Sequence, residues 1–200
     1  MHSNKDIVHL LKSVAAAYTL TGAIRFRVIA YEKAADAIEH LNQEVYDVWQ
    51  NGHLSDVDGI GPSLQKHLDE YFKNPKDSYL EKQLSKIPAP TYELMRAPGI
   101  GPKKAYRIVK EFNLSDPITV FDDVKKLADE HKIAELEGFG EKSEKDIIKA
   151  LGIYEERGQK EERMTLPTAT QLARDVMEHL SKNTYVLKSE ALGSFRRKVP

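Results

Sequence analysis

Apolar side chains recur along this chain at the three-and-four spacing of helices, and one short segment departs from it. Residues 4–20 place Ile7, Leu10, Leu11, Val14, Ala15 and Tyr18 on one face, with Asn4 as the expected cap and Gly22 as the stop. A second helix is expected over 25–41, turning Phe26, Ile29, Ala30, Ala34, Ala37, Ile38 and Leu41 inward. A third over 43–50 closes on Asn51-Gly52, and a fourth runs over 62–72. Another follows at 79–87, after which Ile87-Pro88-Ala89-Pro90 reads as a linker. Beyond it the pattern gives a helix over 122–130 and a charged helical connector over 153–165. A further helix begins at Leu166-Pro167-Thr168, with Ala169, Leu172, Ala173, Val176 and Leu180 on one face. The departure is 185–192, YVLKSEAL, whose pattern is strand-like. The expectation is a mainly α protein with helical domains over 1–88 and 89–152, then a connector and the start of a mixed region over 153–200.

One short sentence of sequence occurs three times between these helices. LSDVDGIGPSLQKHL (54–68), LMRAPGIGPKKAYRIV (94–109) and IAELEGFGEKSEKDII (133–148) share a Gly-apolar-Gly corner preceded by spaced apolar residues and followed by a helical run. Their first glycines, Gly59, Gly99 and Gly138, lie 40 and 39 residues apart, the signature of a repeated supersecondary unit. Helical pattern is expected before each corner as well as after it.

The corner carries its own chemistry. Two glycines, Gly59 and Gly61, Gly99 and Gly101, or Gly138 and Gly140, let the backbone take positive φ and approach a ligand without a Cβ in the way. Pro62 and Pro102 follow directly, where a fixed φ suits the first helical position. Free amides at a helix start favour an anion such as phosphate, each such site gaining roughly 0.3–1 kcal/mol from the helix dipole. Several weak sites along one backbone add up. A phosphate loop is excluded because Gly138-Phe139-Gly140-Glu141-Lys142-Ser143 lacks the Gly-Lys pair, and a dinucleotide fingerprint because Leu64, Lys104 and Ser143 stand where its third glycine belongs.

Composition narrows the partners. Cysteine is absent, so disulfides and thiolate metal sites are excluded, and the 7 histidines are too scattered to form a metal pair. No apolar run approaches a membrane span and no secretory-type start is visible, so a cytoplasmic, nucleoid-associated protein without membrane partners is expected. With a net charge of −1, any affinity for nucleic acid must come from local placement. Lys103, Lys104 and Arg107 follow the second corner and Lys142 and Lys145 the third, a placement that also suits a plain solvated face.

These corners resemble the helix-hairpin-helix motif of DNA repair proteins. With Arg25-Phe26-Arg27-Val28-Ile29-Ala30-Tyr31-Glu32-Lys33-Ala34-Ala35 ahead of the first, the chain resembles the N-terminal portion of the X-family (DNA polymerase beta-like) DNA polymerases of bacterial or archaeal type. The resemblance implies a lyase-like domain, helix-hairpin-helix fingers and the start of a nucleotidyltransferase palm. It implies gapped or nicked duplex DNA with a 5′-phosphate as partner, held without reading base sequence, as in base excision repair. Arg27 then falls at a phosphate position, Phe26 where a ring stacks on template, and Lys33 in a basic pocket. Corner carbonyls would hold a monovalent cation, sodium or potassium, at Met95, Ala97 and Ile100 and at Ser55, Val57 and Ile60.

Two further consequences follow from the resemblance. Gly193-Ser194-Phe195-Arg196-Arg197 after the strand-like segment matches a palm opening, in which Ser194 and Arg197 would touch the triphosphate of a deoxynucleotide. The Asp-x-Asp that holds paired magnesium ions would lie beyond it, so these residues alone are expected to bind DNA without polymerising it, with 185–200 short of a sheet to join. Lyase chemistry in the family uses a lysine six residues after the second glycine of the first corner. Here that position is His67, with Lys66 beside it but about 100° around the helix, so the lyase reading ranks second. A helical scaffold for protein partners is the third reading.

Overall fold

In the computed structural model the described residues are 3–160 together with the helical positions 174, 176, 177 and 180. Among them are α1 (Asn4–Leu20), α2 (Arg25–Glu39), α3 (Val45–Gln50), α4 (Pro62–Lys73), α5 (Tyr79–Leu84), α6 (Ala89–Leu94), α7 (Pro102–Glu111), α8 (Val120–Asp129) and α9 (Glu141–Lys160). Single 3₁₀ turns at Leu54–Asp56 and Pro75–Asp77 precede the first corner and α5. The mainly α expectation holds. The predicted strand at 185–192 and the GSFRR segment lie outside the described residues. The chain divides into two units, Met1–Tyr154 and Glu155–Pro200. In the second unit positions 174, 176, 177 and 180 are helical, with Val176 and Leu180 exposed.

Local chemistry sets the helix ends, and in places differs from the sequence pattern. Ser3, not Asn4, caps α1, its hydroxyl accepting from the Asp6 amide while the Asp6 carboxylate reaches back to the Ser3 amide. That releases Asn4 for another task. Its amide Nδ2 donates to the Gln43 carbonyl at 2.9 Å and its Oδ1 accepts from the Val45 amide at 2.7 Å, tying the start of α1 to the start of α3. The expected linker is instead the entry of α6, with Pro88 as cap and Ala89 and Pro90 as its first residues, because proline's missing N–H costs nothing in the first turn. The third corner is preceded by turns over 131–136 where a helix was expected; Asn113 and His131 both take positive φ, 49° and 58°, and positive φ interrupts a right-handed helix. Glu141–Lys160 is one helix, so the part of the expected connector up to Lys160 continues the third hairpin, and 161–165 lie outside the described residues.

Two apolar cores fill the first unit. One gathers Ile7, Leu11 and Val14 of α1, Ala34, Ala35 and Ile38 of α2, Val45 and Val48 of α3 and Leu64, Leu68 and Phe72 of α4. The rings of Tyr46, Trp49 and Phe72 pack within 5.2–5.3 Å of one another, and the Trp49 indole donates to Asp69 at 3.0 Å, which clamps α3 on α4. The other gathers Leu94, Ile108, Val109, Val120, Val124, Ile133, Ile147 and Leu151. A small cluster of Ala17, Ile87 and Tyr92 adjoins them, with the Tyr92 hydroxyl donating to the Leu84 carbonyl. The corner residues divide between the cores: Ile60 belongs to the first, Ile100 to the second. Leu68 is fully buried, so Leu68→Ala should lower unfolding free energy by about 2–5 kcal/mol in urea titrations.

Candidate nucleic-acid interface

The three corners are built alike at their centres. Ile60, Ile100 and Phe139 each donate their amide three residues back, to the carbonyls of Val57 (3.1 Å), Ala97 (3.2 Å) and Leu136 (2.9 Å). The first glycine of each takes a φ of 85°, 86° or 81°, the left-handed value a type II turn requires at its third position. Burial of the middle residue turns the glycines outward. Ile60 and Ile100 are buried and Phe139 half-buried, while Gly59, Gly61, Gly99, Gly101 and Gly138 are exposed. Gly61 and Gly101 then cap α4 and α7 in extended conformation, with proline next and no side chain bonded to the cap. The amides of the first helical turn therefore meet no capping side chain at either corner.

Beyond that common frame the surroundings differ. Lys103 and Lys104 are exposed at the start of α7. Four residues after the second glycine stand Gln65, Ala105 and Glu144. The Gln65 side chain turns back and donates Nε2 to the Ile60 carbonyl at 2.9 Å. Ala105 has no polar atom to do so. Of the carbonyls expected to hold a cation, those of Val57 and Ala97 already accept the turn bond, leaving each a second lone pair. Among the described residues no group of three or more His, Asp or Glu is arranged to hold a metal ion.

Helix α2 stands behind the first corner. A Cβ on Gly59 would lie 3.4 Å from the Lys33 carbonyl oxygen and 3.5 Å from the Ala37 Cβ, so the turn rests on the main chain of α2. Phe26 is not inward: it is 83% exposed, with Ile24 66% exposed just before it. The helix buries Tyr31, Ala34, Ala35 and Ile38 instead, which leaves position 26 on the far side. Phe26 and Lys33, seven residues apart, share that outward face about 10 Å apart along the axis. Arg27 is exposed, its guanidinium 5.9 Å from the centre of the Tyr18 ring. Ser194 and Arg197 lie outside the described residues.

His67, the position of interest for amine chemistry, is held in a ring of tyrosines. It lies 4.0 Å from the Tyr79 ring in a parallel stack, and its Nδ1 meets the Tyr31 hydroxyl at 2.8 Å. Tyr79 in turn bonds Tyr18 at 2.8 Å. Burial pushes the His67 pKa below its ordinary 6.5, with Lys66 and Arg27 adding to that and Glu70 opposing it. Burial likewise pushes Tyr31 up, and Tyr18 up to about 12. A neutral imidazole can accept the Tyr31 proton, whereas an imidazolium cannot.

Sequence reasoning missed Gln65 and Glu144, because the fourth residue past the second glycine was not compared across the repeats. Reading that position shows the difference in charge and polarity.

Residues 2–76 match the model of a helix-hairpin-helix domain, and residues 52–114 match a SAM-like helix-hairpin-helix tandem, which takes in the first and second corners together. The chain is similar to a DNA polymerase/3′-5′ exonuclease PolX of Bacillus subtilis (strain 168), 34% identical over 197 residues. The match covers 98% of this chain and 33% of the relative, so the chain spans about a third of that protein's length.

Two outcomes are expected of this geometry. Gly99→Ala meets open space but keeps a left-handed φ, and should cost about 1–2 kcal/mol of stability in urea titrations. A histidine held below its ordinary pKa contributes its stability in full above pH 6.5 and loses it as pH falls from there through the lowered value. Melting temperature should therefore drop more steeply below pH 6.5 in the wild type than in His67→Phe; equal slopes would exclude the effect.

Proposed function

We propose that the chain, as the helix-hairpin-helix portion of an X-family DNA polymerase, holds gapped or nicked duplex DNA by its phosphates without reading base sequence. One observation carries the reading: two exposed glycine corners of matching geometry, each opening a helix whose first amides meet no capping side chain. A phosphate oxygen is the natural partner for such amides, and contacts of this kind position a duplex without sequence preference. Lys103 and Lys104 supply the adjacent positive charge at the second corner. At the first, Lys33 and Arg27 would serve the 5′-phosphate side of a gap, and the outward ring of Phe26 would stack on an unpaired base.

The remaining assignments belong to the same proposal. A sodium or potassium ion would bridge the carbonyls of Met95, Ala97 and Ile100 to a phosphate. At the first corner, Ser55, Val57 and Ile60 would do the same only in competition with Gln65, whose amide already sits on the Ile60 carbonyl. Ser194 and Arg197 would meet a deoxynucleoside triphosphate in a complete palm, where magnesium ions held by aspartates would supply the phosphoryl-transfer chemistry. Among the described residues no helix is long and apolar enough to cross a membrane.

The lyase reading is weaker on chemical grounds. A Schiff base needs a primary amine, and the ring at position 67 is already engaged by Tyr31 and Tyr79. Borohydride treatment on abasic-gap DNA is expected to trap no covalent adduct.

A single substitution separates folding from binding. Gly101 has open space around its absent Cβ and an extended backbone, so Gly101→Asp can cap α7 and occupy the amides proposed for phosphate. Stability should hold or rise by a few tenths of a kcal/mol, while affinity for 5′-phosphorylated gapped DNA falls at least tenfold in matched salt. Wild-type affinity should fall linearly on a log-log salt plot, and a 5′-hydroxyl gap should bind more weakly than a 5′-phosphate gap. A folded Gly101→Asp variant with unchanged affinity would remove the corner from the interface.

A further inference from the structure

The third corner repeats the turn of the other two and differs in its second glycine and in the carboxylates placed around it. Its second glycine, Gly140, takes a φ of 129°, whereas Gly61 and Gly101 stand at −73° and −80°. The peptide plane between Phe139 and Gly140 is therefore turned another way, although Glu144 still donates its amide to the Gly140 carbonyl as Gln65 and Ala105 do to those of Gly61 and Gly101. Glu141 occupies the first helical position that Pro62 and Pro102 fill elsewhere.

The chain's own carboxylates also occupy this corner. Glu144, in the first turn of α9 and only 3% exposed, accepts from the Ala134 amide at 2.9 Å and meets His131 Nδ1 at 2.9 Å. Burial alone would raise its pKa, but the hydrogen bonds from His131 and Ala134 outweigh that and hold it below the usual carboxylate value. An anion is thus already seated beside the helix start. Outside it, Glu137 is 95% exposed in its side chain and Glu141 84%, the latter 3.7 Å from Lys145, so the two cations nearest these carboxylates, Arg107 and Lys145, are paired with them and only Lys142 repeats the register of the second corner's Lys103. Arg107 of α7 turns toward this corner, its Nη2 3.5 Å from Glu137 and its Nη1 3.5 Å from where a Gly138 Cβ would stand. That cation compensates a carboxylate of the protein.

We infer that the third hairpin is closed to phosphate by Glu137, Glu141 and Glu144, so that the DNA-holding surface of this unit ends at the second corner. Gly138 and Gly140, which the repeated motif groups with the phosphate corners, then serve the turn, with Arg107 beside Gly138, and Lys142 is a solvated surface residue. A phosphate at this corner would have to compete with Glu137 and Glu141 for Arg107 and Lys145, and like charges at close range are repelled rather than held. This inference rests on the proposed phosphate role of the first two corners.

The test places a negative charge at the same register in all three hairpins, two residues after the second glycine: Ser63→Glu, Lys103→Glu and Lys142→Glu. These side chains are exposed, so the variants should fold, and thermal melts verify it. Each is titrated with 5′-phosphorylated gapped duplex over a range of salt. Ser63→Glu and Lys103→Glu are expected to lose at least tenfold in affinity, and Lys103→Glu to lower the salt slope by about one. Lys142→Glu is expected to stay within threefold of wild type with an unchanged slope. A loss for Lys142→Glu equal to that for Lys103→Glu would overturn the closed third corner while leaving the functional proposal intact. No loss in any of the three would overturn the functional proposal itself.

Discussion

A buried isoleucine between two exposed glycines is the constraint on which the candidate interface depends. Sinking Ile60 or Ile100 into its core contributes about 1.5–3 kcal/mol, and the turn that allows it needs a left-handed residue just before. The apolar side chain goes in, so the neighbouring main chain must stay out. An exposed backbone surface is thereby fixed by packing, without a polar side chain to define it. Proline at the next position fixes the helix start and removes one of its donors, leaving the following amides without a side-chain cap.

The same constraint explains why three corners need not do one job. The turn bond and the left-handed glycine serve the fold in every copy, so they persist wherever a hairpin joins two packed segments. What surrounds the turn differs from copy to copy: lysines follow the second, a glutamine amide sits on the carbonyl of the first, and a buried carboxylate lies at the third. Repeated local structure therefore supplies one scaffold, on which each copy carries different neighbouring groups.

Much of this was readable from residues alone. Helical periodicity located α1, α2, α4 and α8 to within a few residues, because each buries one continuous face. Errors arose where two rules competed. Asn4 is a good cap by type, but Ser3 lies one residue earlier with Asp6 in register behind it, and the pair outcompetes a single side chain. Pro88-Ala89-Pro90 looked like a break because prolines stop helices, yet prolines also start them. Phe26 fitted the apolar stripe of α2, and the direction of that stripe was decided by Tyr31 and three smaller residues packing against α1 and α4. The bond of His67 could not be read, since it reaches a tyrosine 36 residues away whose position depends on how segments meet in space.

The seating of Gly59 against the carbonyl of Lys33 has a mechanical side. Where main chain touches main chain, there is no flexible side chain between them to absorb a displacement. The first hairpin and the helix behind it should therefore shift as a single rigid piece. Strain applied at the tip bearing Phe26 would reach the turn undamped, about two helical turns away.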